Sequence, residues 1–132
     1  MIIEHFGGQV EISSIEEIEK VLTIRYGNEV NEFWLTIDKD KKYPCLAILI
    51  NHDKATLTYF IKEGHPGFQS INKSVIKDIK ENNNFSIFYT NTITEEIEID
   101  NDNVISIDFV NSIVEEFYNT HEKPTCIDWV EL

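Results

Sequence analysis

The spacing of apolar residues changes several times along the chain, and each change marks an element. IIEHF at residues 2–6 and QVEI at 9–12 are short runs that read as two strands. From residue 14 the period lengthens, and Ile15, Ile18, Leu22 and Tyr26 fall on one side of a helix. Ser14 stands at the N-cap position, and Glu17 three residues on completes a capping box. Gly27-Asn28 closes a helix predicted over 14–26. At 32–38 the period drops to two, with Phe33, Leu35 and Ile37 on one face and Trp34 and Thr36 on the other. A charged turn at 39–42 leads into 43–50, which is apolar on both faces as a central strand requires. A tight turn at 51–54 then returns the chain antiparallel through 55–61.

The second half is less regular. Residues 72–84 are polar, with a helical turn predicted at 74–79. Segments 85–89 and 95–100 read as a second hairpin, with Ile97 and Ile99 facing in and Glu96, Glu98 and Asp100 facing out. A helix is predicted over 106–120, with Ile107, Val110, Val114 and Phe117 as its apolar stripe and Pro124 preventing its continuation. A last strand follows at 125–132. The pattern predicts one α+β domain across 1–132, a mainly antiparallel sheet of about six strands with two helices packed on one face.

Composition adds limits. A chain of 132 residues, 42% of them hydrophobic, can bury a substantial core without staples. The longest apolar run, CLAILI, is too short to span a bilayer, and the first ten residues lack the basic start and cleavage site of a signal peptide. Cys45 and Cys126 sit in apolar strand-like runs and read as reduced core thiols of a cytoplasmic protein, with a disulfide between them as the alternative. The net charge is −13, which opposes direct binding to nucleic acid or to an anionic membrane. It is unevenly spread: residues 91–132 hold 11 acids against Lys123, a net of −10, which leaves −3 for residues 1–90. Either this is a self-repelling solvated surface, or it is a face complementary to a basic partner.

Catalytic signatures are missing. There is no phosphate loop, dinucleotide fingerprint or nucleophile elbow, and the four histidines have no metal-ligand spacing, so neither cofactor nor metal is expected. The carboxylate pairs at Glu95-Glu96 and Glu115-Glu116 sit on faces that read as exposed. The densest chemistry is EGHPGFQS, Glu63 to Ser70. Pro66 fixes its own φ and extends His65, and Gly67 supplies the positive φ of a type II turn. As a general base His65 would need an orienting carboxylate, and Glu63 is its near candidate in sequence. Trp34, on the polar side of its strand, and Trp129, beside Asp128 and Glu131, are either core residues or recognition anchors.

YPCLAILI, a short turn, residues 55–60, then EGHPGFQS, together resemble the immunity protein family numbered one of bacterial polymorphic toxin systems. The ending, a late helix, Lys123-Pro124 and IDWVEL, is similar to that family's proline-then-tryptophan terminus. The resemblance implies a small cytoplasmic antidote that binds a toxin domain encoded beside it, including nucleic-acid deaminases and nucleases, and blocks it without being an enzyme. The family's recurrent residues fall here on Gly64, His65, Pro66, Gly67, Ser70, Trp129 and Glu131, with Glu63 and Phe68 beside them. A toxin that handles nucleic acid presents a basic groove, which an acidic surface can occupy. The expected partner is therefore a basic toxin domain bound 1:1. The expected contacts are Trp34, Glu96, Glu98, Asp100, Asp102, Glu115, Glu116, Trp129 and Glu131. The rival readings are a small hydrolase using His65 and Glu63, and a structural adaptor subunit.

Overall fold

A computed structural model of the protein describes residues 1–72 and 84–132, so the helical turn predicted at 74–79 lies outside the described residues. Ten strands and two α-helices are described: β1 (Ile2–His5), β2 (Gly8–Glu11), α1 (Ile15–Leu22), β3 (Val30–Asp38), β4 (Lys41–Asn51), β5 (Lys54–Phe60), β6 (Phe68–Ile71), β7 (Phe85–Tyr89), β8 (Glu96–Asp100), β9 (Ile105–Ser106), α2 (Val110–Thr120) and β10 (Asp128–Glu131). Eight strands form one antiparallel sheet in the order β10-β6-β5-β4-β3-β1-β2, with β9 added beside β5. The hairpin β7–β8 is a separate two-stranded sheet. The α+β class and the antiparallel hairpins are as the sequence predicts. The strand number is higher, because β6 and β9 are too short to show a period; β6 forms between β5 and β10, and β9 by pairing with distant β5.

The register explains the core. Phe33, Ile48 and Leu57 lie opposite one another across β3, β4 and β5, as do Leu35, Leu46 and Tyr59. They are essentially buried and share one hydrophobic cluster with Ile18 and Leu22 of α1 and Ile113, Val114 and Phe117 of α2. Burying each large side chain contributes about 1.5–3 kcal/mol as an upper estimate, so this cluster dominates stability.

The helices differ from expectation at their ends. Ser14 Oγ accepts from Glu17 N–H at 3.2 Å, and Glu17 returns a carboxylate to Ser13 N–H at 2.9 Å, so the predicted capping box forms one residue early on its return arm. α1 stops at Leu22 rather than reaching Tyr26, which instead bridges to Val30 across the turn containing Gly27 (φ 52°). α2 begins after a 3-10 turn at Ile107–Phe109 and ends in left-handed His121 (φ 58°), three residues before Pro124. Of the two isoleucines predicted to face in on β8, Ile99 is half-buried, but Ile97, although opposite buried Phe88, is exposed, because a two-stranded sheet gives it little cover. Cys126 is exposed rather than core, and both thiols are free.

Candidate functional site

The turn after β5 and the C-terminal strand, which the sequence keeps 60 residues apart, are a single unit. His65 N–H closes a turn onto Lys62 C=O at 3.3 Å with Gly64 (φ 83°) in it, so the hydrogen-bonded turn precedes Pro66 instead of being centred on Pro66-Gly67. Gly67 also has a positive φ, 102°. Its N–H donates to His65 Nδ1 at 2.9 Å, which leaves Nε2 to carry the ring proton and donate to Glu131 at 2.8 Å. The carboxylate that orients His65 is therefore Glu131, supplied by β10, and not Glu63. The imidazole stacks on Phe68 with centroids 5.2 Å apart, and Lys123 Nζ lies 4.1 Å from the centroid of the same Phe68 ring. Leu132 N–H ends the arrangement on Gly67 C=O at 2.9 Å.

Ser70 works beneath this unit. Fully buried, it accepts Leu57 N–H at 3.1 Å and donates to Asn103 C=O at 2.9 Å, and Asn103 Nδ2 reaches Ser70 C=O at 3.0 Å. Leu57 lies between the stretch of β5 paired with β6 and the stretch paired with β9. The Ser70 hydroxyl satisfies the amide that the broken ladder leaves over. Trp129, opposite Ser70, lies against the core near Tyr59 and donates from Nε1 to Pro124 C=O at 2.7 Å. Gly64, His65, Gly67, Ser70, Trp129 and Glu131 all sit in this assembly that fastens the sheet edge.

Glu116 has a comparable task. Partial burial raises its pKa, but hydrogen bonds from Thr125 N–H, Thr125 Oγ1 and Cys126 N–H outweigh this and hold it below the usual carboxylate range. It ties α2 to the loop before β10. By contrast Glu96, Glu98, Asp100, Asp102 and Glu115 are exposed, and Asp100 also caps the following turn by accepting Asp102 N–H at 2.8 Å. Among the described residues no group of three or more His, Cys, Asp or Glu could hold a metal ion.

Trp34 and Trp129 lie on opposite faces of the main sheet. Trp34 belongs to the face turned away from Phe33 and Leu35. There its ring stacks on Phe60 of β5, centroids 5.7 Å apart and planes 17° apart, across the small side chains of β4, Cys45 and Ala47. A cavity of about 380 Å³ opens beside the stack, lined by Ile2, Glu4, Trp34, Thr36, Tyr43 and Cys45 among others. Burial pushes the Cys45 thiol up to about 11. Toward the other end of this face, buried Glu32 accepts Thr90 Oγ1 and, at 3.0 Å, Asn91 N–H, so the tip of the β7–β8 hairpin is anchored there. The sequence singles out Trp34 but not Phe60, Cys45 or Glu32. The two-residue alternation of 32-34-36 and 45-47 contains the signal, but only the register joins them into one surface.

Among the described residues no helix is long and apolar enough to cross a membrane. No family model matches the chain. It is 24% identical, over 138 aligned positions spanning the whole of both chains, to the double-stranded DNA deaminase immunity protein of Burkholderia cenocepacia (strain H111). That relative's name places it in the class that the segments 43–71 and 124–132 of this chain resemble.

Proposed function

We propose that this chain is an immunity protein that binds a deaminase toxin domain and neutralises it by occlusion, without catalysis of its own. The observation that carries the reading is the end-to-end likeness to a double-stranded DNA deaminase immunity protein. A deaminase acting on DNA needs a basic substrate groove, and a chain of net charge −13 is suited to enter it. In this reading Glu96, Glu98, Asp100, Asp102 and Glu115 steer the encounter, and Trp34 is a contact anchor. Glu116, Trp129 and Glu131, engaged within their own chain, shape the surface that carries them. The partner is a basic toxin domain, bound 1:1 in the cytoplasm.

The hydrolase alternative required His65 to work with Glu63. His65 has both ring nitrogens occupied, one by the Gly67 amide and one by Glu131, in an arrangement that fixes a turn. The test is co-expression with the toxin domain of the neighbouring reading frame. Cells carrying both should grow and keep deamination at background. Toxicity undiminished by this chain would overturn the reading.

A further inference from the structure

Resting on that reading, we propose that the grip on the toxin comes from the open part of the sheet face around the Trp34–Phe60 stack. The acidic last third sets how fast the partners meet. The face has the anatomy of a binding hot spot: a floor of Ile2, Cys45 and Ala47, a stacked aromatic pair above it, half-buried Thr36 and Thr58 at its sides, and a cavity of about 380 Å³ able to take a partner side chain. Trp34 and Phe60 are only half-buried here, and Val130, on the β10 end of the same face, is 40% exposed.

Charge selects the occupant. A second copy would bring its own −13 against this one, which disfavours pairing like with like. On the β1–β2 side the rim is anionic: Glu4 and Glu11 are exposed, and their cross-strand neighbours on β1 and β2 are Gln9 and Ile2 rather than cations. At the β3–β4 turn Lys39 and Lys42 line the cavity together with Asp38. The complementary partner is a basic protein that offers an apolar side chain to the cavity and lysine or arginine to the Glu4–Glu11 side. An apolar centre inside a charged rim governs dissociation, whereas distant exposed acids govern association and its salt dependence.

The test measures binding kinetics of the neighbouring frame's toxin domain, purified with its activity disabled, to the intact chain and to Trp34→Ala, Thr36→Lys and Glu98→Lys. Trp34→Ala and Thr36→Lys should weaken binding roughly 30-fold or more, mainly through faster dissociation, with the melting temperature recorded for each variant. Glu98→Lys should lower the association rate and flatten its salt dependence, with dissociation unchanged within about threefold. As a readout independent of variant folding, the native chain is labelled with 5-fluorotryptophan, and the Trp34 resonance, identified by its loss in Trp34→Phe, should shift on complex formation. Binding by Trp34→Ala and Thr36→Lys within about threefold of the native chain, or a shift confined to Trp129, overturns the inference and leaves the proposed function standing. A native dimer that Thr36→Lys dissociates while toxin binding survives overturns it in favour of a second copy. Failure of the native chain to bind at all refutes the proposed function itself.

Discussion

Replacing Gly67 with alanine tests whether the signature turn exists for packing. Gly67 has φ 102°, a conformation that costs a residue bearing a Cβ about 1–3 kcal/mol. The added Cβ would lie 2.8 Å from Thr58 Cγ2 and 3.2 Å from both Phe60 Cδ1 and Cε1, and overpacking of this kind adds about 1–3 kcal/mol. Relief by backbone movement is restricted, because the Gly67 N–H is held by His65 and its C=O by Leu132. The sum, about 2–6 kcal/mol, is a large part of a typical stability of about 5–15 kcal/mol. Gly64 is the internal control: its φ is 83°, but among the described residues nothing lies within 4 Å of a Cβ there, so Gly64→Ala should cost only about 1 kcal/mol. Thermal and urea denaturation followed by circular dichroism should show Gly67→Ala melting roughly 10 °C or more below the native chain and Gly64→Ala roughly 3–5 °C below. Because Phe60 also stacks on Trp34, Gly67→Ala should change tryptophan emission before unfolding begins, and Gly64→Ala should not. Equal losses from the two alanines would refute the packing argument.

Ser70→Ala leaves the buried Leu57 amide without its acceptor and should destabilise by about 1–3 kcal/mol, with faster hydrogen exchange at Leu57; unchanged exchange there would show that another group takes the amide. Glu116 has a lowered pKa, so its stabilisation is full above the ordinary carboxylate range and fades as pH falls through the lowered value. Glu116→Gln should therefore melt lower than the native chain at pH 7, by roughly 1 kcal/mol or less after solvent screening, and match it in strong acid; a gap that persists at pH 2 argues for another cause. In thiol titration at pH 8, exposed Cys126 should react in the folded protein, while Cys45, buried and with its thiol pushed up to about 11, should react only on unfolding; two equally fast thiols would contradict the burial of Cys45.

The legible part of this protein was local. Period-two alternation in 32–38, unbroken hydrophobicity in 43–50 and the Ser14–Glu17 cap each act within a few residues, so the chain by itself determined the central hairpins, the start of α1, the α+β class and the acidic last third. The resemblance of 43–71 and 124–132 to an immunity family was equally a property of the letters. What those residues do was decided only in three dimensions. The partner of His65 is 66 positions away, and Glu131 meets it only because β10, from the far end of the chain, pairs with the four-residue strand β6. The two tryptophans look alike in sequence but fall on opposite faces, since the register turns Trp129 to the core with Ser70 and turns Trp34 away from Phe33. A strand's alternation says that two faces exist. Which face packs against α1 and α2, and which carries Trp34 instead, depends on where distant elements pack.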